Sequence, residues 1–288
     1  MAENGTPLIY REEKEIAFIE INRPEKKNAI NFECWKSFDS YFDDLKSSQG
    51  IRALVITGHP ADIFSAGVDV TPSDTFITDM FQALQNQDKE KLVDGFAHIQ
   101  SVLTKLARLT FPTIAAINGT CYSGAAELAL AYDLRVAKAG AVICFQETRL
   151  GLIPDLGGTV RLAKLVGPGC AKDLIFSARK IDAEEAKQLG LVNHVFPKEN
   201  FRSRVTEYVE NITTNGPMAL RVVKEIIDST ISMDEDQALA FEREKAASNV
   251  LSGQCIEGIT ASWEKDLQNG LRKQDLDDLE KVKADHGL

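Results

Sequence analysis

Two short glycine turns constrain this chain more than any other feature. Phe64-Ser65-Ala66-Gly67-Val68-Asp69 and Asn118-Gly119-Thr120-Cys121-Tyr122-Ser123-Gly124-Ala125-Ala126-Glu127 each follow a β-branched apolar run, and each leads towards a helix. A strand-to-helix turn leaves backbone N–H groups unpaired and pointing outward. Two such turns brought together can hold one oxyanion. Glu127 follows Gly124 by three residues, so on a helix it projects from the same face, one turn along. A carboxylate there points to enolate chemistry on a carbonyl compound. Taken alone, the second turn also fits a plainer reading, in which Gly-Ala-Ala only lets a helix pack closely. The companion turn and the cost of burying Glu127 among Ala125, Ala126, Leu128, Ala129 and Leu130 weigh against that.

The rest of the chain alternates strand and helix patterns. Leu8–Tyr10 and Ile16–Ile21 read as strands, and Asn22-Arg23-Pro24 breaks the extended run. Phe32, Trp35, Phe38, Phe42 and Leu45 recur at helical spacing, with Asn31 as N-cap. Ala53–Thr57, Thr113–Ile117, Leu134–Ala137, Ala141–Phe145 and Val192–Phe196 are further strands. Ala125–Tyr132 and the stretch around Phe96, Ile99, Leu103 and Leu106 are helical. Between Thr71 and Asp94 the sequence is polar and weakly periodic, the pattern of a lid over a functional site. Asp182 and Glu185 form a helix start like a capping box, and Gly190 is a natural stop. From Glu199 onward the chain reads as helical, with breaks at Gly216-Pro217, Ser232–Asp234 and Ser252-Gly253. Strands alternating with helices, then an all-helical third, give an α/β core with a helical appendage.

Charge and composition exclude several classes. A formal net charge of −10 disfavours nucleic acid or an anionic membrane as the main partner. No apolar stretch approaches the ~20 residues that span a bilayer, and the polar stretch Met1–Lys14 does not read as a signal peptide. The five cysteines are scattered without a C-x-x-C pair, which suits reduced thiols and a cytoplasmic setting. His59, His98, His194 and His286 show no metal-ligand spacing, so no metal is expected.

Two more acids draw attention. Glu147 lies after a strand and before the Pro/Gly-rich loop Leu152–Gly158, a common place for functional side chains. It also reads as a surface glutamate paired with Arg149 or Arg161. Asp155 reads either as a further acid or as a turn residue and helix N-cap before Gly157-Gly158.

Several motifs in order carry a resemblance to a known family. They are Asn22-Arg23-Pro24-Glu25-Lys26-Lys27-Asn28-Ala29-Ile30, the turn Phe64–Asp69, the block Asn118–Glu127, and Gly151–Thr159. Over roughly residues 8 to 265 the chain resembles the crotonase superfamily, the enoyl-CoA hydratases and isomerases. The resemblance implies an α/β fold, a crotonase-like spiral of β-β-α repeats. The core with its CoA site and active site would span 1–198. A C-terminal helical region over 199–288, with a charged terminal extension, would help form a homotrimer or homohexamer. By position, the backbone N–H groups of Ala66 and Gly124 match the oxyanion hole for the thioester oxygen of an acyl-CoA substrate. Glu127 and Glu147 match the catalytic glutamates of the hydratase branch. Lys26, Lys27, Ala29, Ala66, Gly67, Val68 and Asp69 match stretches that contact CoA in relatives, largely through backbone atoms. No separate cofactor is implied, since coenzyme A is part of the substrate.

Within that family three activities compete. Both hydratase glutamates are present, which favours water addition across the 2,3 double bond of a 2-enoyl-CoA. Asp155 falls where dienoyl-CoA isomerases and some enoyl-CoA isomerases place a catalytic aspartate, and the stretch from Asp69 to Asn118 resembles the longer dienoyl lid. An isomerase would move a proton with Glu147 and Asp155. The third is a non-catalytic acyl-CoA-binding homologue. The chain departs from the usual pattern at Ser123, where glycine is common, and at Ala125-Ala126. It departs again at Ser262 and at Asp266-Leu267-Gln268, which bears on whether Lys265 reaches CoA. Arg149 stands beside Glu147 in a position to pair with it and lower its pKa.

Overall fold

The computed structural model describes residues 6–60, 62–256 and 258–259. Repeated strand pairs followed by helix are visible along the chain. First come β1 (Leu8–Glu13), β2 (Ile16–Ile21) and α1 (Phe32–Ser47). Next are β3 (Ala53–Gly58) and β4 (Ile63–Ser65) with α2 (Thr75–Gln85) and α3 (Lys89–Ala107), then β5 (Thr113–Ile117) and β6 (Thr120–Tyr122) with α4 (Gly124–Ala129). The fourth repeat is β7 (Leu134–Lys138) and β8 (Val142–Cys144) with α5 (Gly158–Val166) and α6 (Pro168–Ser177). β9 (Ile181–Asp182), α7 (Ala183–Gln188), β10 (His194–Phe196) and α8 (Phe201–Thr213) follow, then α9 (Pro217–Thr230) and α10 (Glu235–Leu251).

In three successive repeats the two strands part company. β3, β5 and β7 enter a six-stranded sheet of order β1-β2-β3-β5-β7-β10, while β4, β6 and β8 enter a second sheet of order β4-β6-β8-β9. All pairings are parallel except the two at the edges, β1 with β2 and β8 with β9. The chain therefore winds as a spiral, each turn adding one strand to each sheet. Every residue of β2 and β5 is buried, as expected of strands covered on both faces. On one face α1 contributes Trp35, Phe38 and Phe42 to the main core, and α3 adds Ile99, Val102 and Leu103. On the other, Phe18, Val55 and Val136 pack with Phe201, Val205 and Val209 of α8.

The N-cap reading of Asn31 holds, since its side chain accepts the Cys34 N–H at 2.9 Å. Asp182 likewise accepts the Glu185 N–H at 2.8 Å. The structure differs over Thr71–Asp94, where α2 and the start of α3 replace a polar connection. Only Phe76, Ile77 and Ala83 of α2 are buried. What fixes it is Asp74: one carboxylate oxygen accepts the Phe76 and Ile77 N–H groups, and the other takes Phe32 N–H at 2.7 Å, tying α2 to the start of α1. β4 and β6 have three residues each, too few to show a period.

The chain divides into two compact units, one running to Ile212 and the other starting at Thr213. The expected break at 198/199 falls earlier because α8 belongs to the first unit, through the apolar residues it buries on the sheet. In the second unit α9 and α10 start where expected, at Gly216-Pro217 and at Asp234, which caps Gln237 N–H at 3.0 Å. Ser262–Gln268 and the charged stretch Leu271–Asp285 lie outside the described residues. Among the described residues no helix is long and apolar enough to cross a membrane, and no group of three or more His, Cys, Asp or Glu side chains is placed to hold a metal ion.

Candidate active site

The two glycine turns meet. A Cβ placed on Gly67 would lie 3.1 Å from Ser123 Cβ and 3.5 Å from Gly124 N, and one placed on Gly124 would lie 2.6 Å from Val68 Cγ2 and 3.5 Å from Val68 N. Such an approach is open only to glycine. Between them, Ser123 caps α4 with φ 51° and ψ −128°, a backbone conformation that strains any side chain.

One donor assignment changes. The Ala66 N–H donates to Lys27 O at 3.0 Å, so it is already spent on bracing its turn. Val68 N–H and Gly124 N–H, by contrast, have no acceptor among the described residues, and they flank the contact between the turns. Val68 replaces Ala66 as the candidate partner of Gly124. The reason is the bridge between Ile30 and Val68, which fills the N–H groups of Ile30 and Asp69 and leaves that of Val68 facing away.

The Asp69 side chain braces its own turn. Its buried carboxylate accepts from Arg23 Nη1 at 2.8 Å and from Thr71 Oγ1 at 2.7 Å, and the Asp69 N–H donates to Ile30 O. These hydrogen bonds outweigh burial and hold its carboxyl below the usual range. Lys26 and Lys27 are exposed, close in sequence to Ala29, whose carbonyl accepts from Arg23.

Glu127 emerges from α4 at 1% exposure. Its Oε2 accepts Leu156 N–H at 2.8 Å and Gly158 N–H at 2.7 Å. Glu147 opens a short 3-10 turn after β8 and is buried with neither carboxyl oxygen partnered. The expected ion pair with arginine is absent among the described residues. Arg149 Nη2 instead donates to Ala178 O at 2.8 Å, and Arg161 Nη1 to Leu156 O at 3.0 Å. Asp155 does not cap α5, whose N-cap is Gly157.

The three carboxyls form one electrostatic cluster. Burial drives Glu127 well above the usual carboxylate range; the charges of Glu147 and Asp155 add to this, and the two N–H donors oppose it. Burial pushes Glu147 up to about 7, with Asp155 adding to the rise. Burial alone lifts Asp155 to about 6. Acids placed side by side in a dry site, next to two free N–H donors, can exchange protons with a bound carbonyl compound near neutral pH.

A family model described as enoyl-CoA hydratase/isomerase matches residues 11–269. The chain belongs to the enoyl-CoA hydratase/isomerase family. It is 32% identical to the short-chain-enoyl-CoA hydratase of Clostridium acetobutylicum, over 93% of this chain and 98% of that protein. The crystal structure of an enoyl-CoA hydratase from Bacillus anthracis superimposes with a TM-score of 0.80 at 30% identity, covering 90% of this chain and 96% of that one. A Thermobifida fusca structure solved with acetoacetyl-CoA has a TM-score of 0.76 at 29% identity, covering 86% and 96%. The mixed α/β fold, with its parallel sheets and C-terminal helices, is thus the crotonase fold.

Within this family fold, Gln100 escaped the sequence reading, and Arg161, read there only as a partner for Glu147, lies near Glu127 instead. Gln100 Nε2 of α3 donates to Asp155 O at 2.6 Å. Arg161 lies close enough to Glu127 for that charge to favour its cationic form, although burial lowers its pKa overall. Gln100 is an exposed glutamine on a helix, and no sequence pattern marks its contact with a backbone carbonyl.

Proposed function

We propose that this protein hydrates the 2,3 double bond of a 2-enoyl-CoA thioester. The observation that carries the reading is the asymmetry of the two glutamates. Glu127 is fixed by two N–H donors, whereas Glu147 is buried beside it with no donor. Coupled carboxyls of this kind share protons as a pair. The two donors favour the anion on Glu127 against the burial that raises its pKa, and on that geometry we assign the shared proton to Glu147, whose oxygens have no such donors.

The thioester oxygen would lie against the N–H groups of Val68 and Gly124. They stabilise the charge that grows as the thioester becomes enolate-like, each worth about 3–4 kcal/mol in the transition state. Glu127 orients a water and takes its proton as the oxygen bonds to the β-carbon. Glu147 delivers its proton to the α-carbon. Lys26 and Lys27, both exposed, would meet the nucleotide phosphates, and acetoacetyl-CoA in the Thermobifida fusca relative supports a CoA thioester as ligand. A homotrimer or homohexamer is part of this proposal.

Asp155 supports a second reading. It stands in the same cluster with its carboxyl lifted to about 6, so Glu147 and Asp155 could move a proton along an enoyl or dienoyl chain without water. A purely binding role fits less well, because two buried acids, with a half-buried third beside them, are costly to keep next to free donors. The test is turnover of crotonyl-CoA, 3-enoyl-CoA and dienoyl-CoA followed by loss of thioester conjugation and by product mass. A gain of one water supports hydration. A product of unchanged mass with a shifted double bond supports the isomerase, and binding without turnover overturns both.

A further inference from the structure

Glu127 depends on two peptide groups, and each of these is held from behind. The Leu156 N–H that binds Glu127 shares a peptide plane with the Asp155 carbonyl, which accepts Gln100 Nε2 at 2.6 Å. The Gly158 N–H shares a plane with the Gly157 carbonyl, which accepts Arg161 N–H at 3.0 Å. Each relay runs donor, carbonyl, N–H, carboxylate. A donor on the carbonyl polarises the peptide and strengthens the bond its N–H makes. The second relay is the first turn of α5 and is built into the backbone. The first is a side chain reaching across from α3, fifty-five residues away in sequence.

We propose that Gln100 is a positioning residue for Glu127, acting through the Asp155–Leu156 peptide group. It fixes the plane of that peptide and deepens the well in which the Glu127 anion sits. Gln100 lies in the second half of α3, the helix whose first turns end the stretch Thr71–Asp94 read as a lid, so α3 links that stretch to the peptide that holds Glu127. The charged groups around Glu127 are Glu147 on the 3-10 turn, Asp155 on the loop and Arg161 on α5, and none of them is altered by changing Gln100.

The proposal rests on Glu127 being the base, so its test includes a measurement that needs no turnover. Protein labelled with carboxyl-13C glutamate is titrated by NMR, with the Glu127 signal assigned by its loss in Glu127→Gln. Gln100→Met keeps the length of the side chain and removes the donor. The Glu127 midpoint is expected to rise by a few tenths of a pH unit, and hydration kcat to fall about twofold to fivefold with KM little changed. Gln100→Glu removes the donor and adds a negative charge, so its shift is expected to be larger in the same direction. Ser101→Ala, a change on the same helix away from the loop, should leave the midpoint in place. Gln100 is exposed, so melting temperatures should stay within a degree or two of wild type. A Glu127 titration in Gln100→Met that overlays the wild type overturns the relay, whether or not the enzyme hydrates its substrate. A midpoint that moves in a protein inactive on every enoyl thioester supports the relay and overturns the hydratase assignment.

Discussion

Gly158 is glycine because Glu127 lies against it. A Cβ at that position would sit 2.5 Å from Glu127 Cγ and 2.6 Å from its Oε2. The same residue donates its N–H to that oxygen at 2.7 Å. Close approach and hydrogen bond are one device, because only a bare backbone comes near enough to hold the carboxylate this way.

Gly158→Ala should therefore displace Glu127 without removing it. Hydration kcat is expected to fall at least about a hundredfold, as for a misplaced catalytic group, while circular dichroism stays that of the folded protein. Activity within a few-fold of wild type would mean that the position of Glu127 is not critical.

The paired acids make a matched prediction. Glu127→Gln and Glu147→Gln should each lower crotonyl-CoA hydration by about 10²–10⁴-fold, whereas Asp155→Asn should leave most of it. Severe loss confined to Asp155→Asn would transfer the chemistry to the isomerase reading.

The donors can be probed through their packing. Gly124→Ala would press its new methyl group on Val68 Cγ2, only 2.6 Å away, and push the two N–H groups apart. A rate loss of about 10–100-fold is expected. Val68→Ala removes the obstructing methyl, so the double variant should recover part of the loss, a coupling of the kind neighbouring residues show. Additive losses would show that the two turns do not act together.

Glu147 predicts two pH effects of opposite use. Its folded pKa, about 7, lies above its unfolded value, so the folded state binds the proton more tightly. The stability this contributes is full below about pH 4.5 and is lost as pH rises through about 7. Melting temperature should fall across that window, and Glu147→Gln should flatten the fall. The hydration rate should drop along an alkaline limb near 7 as the acid loses its proton, read from kcat/KM against pH. A rate that climbs steadily through pH 8 would remove Glu147 from the acid role.

Much of this site was legible in residue order. Gly124 and Glu127 share one short helix, so their spacing alone predicts a donor and an acid on one face. Motif order gave the family, and local caps such as Asn31 and Asp182 gave helix starts, because a cap joins a side chain to an N–H two or three residues on. The Val68 donor was not legible, since Ala66 and Val68 look alike until Lys27 O claims one of them. The same holds for Arg149, whose neighbourhood to Glu147 in sequence says nothing of its turn towards Ala178. Helix α2 was hidden because its anchor is a single aspartate binding two helices.

Residue order fixes the alternation of strand and helix, the glycines that allow close approach, and the acids available for chemistry. These depend on contacts within a few residues or on the nature of the side chain. Folding in three dimensions sets which N–H groups stay free, which carboxylates are buried, and that a glutamine on α3 backs the peptide holding Glu127. Each of these is a balance of desolvation and hydrogen bonding between segments distant in sequence, set when the spiral brings them together.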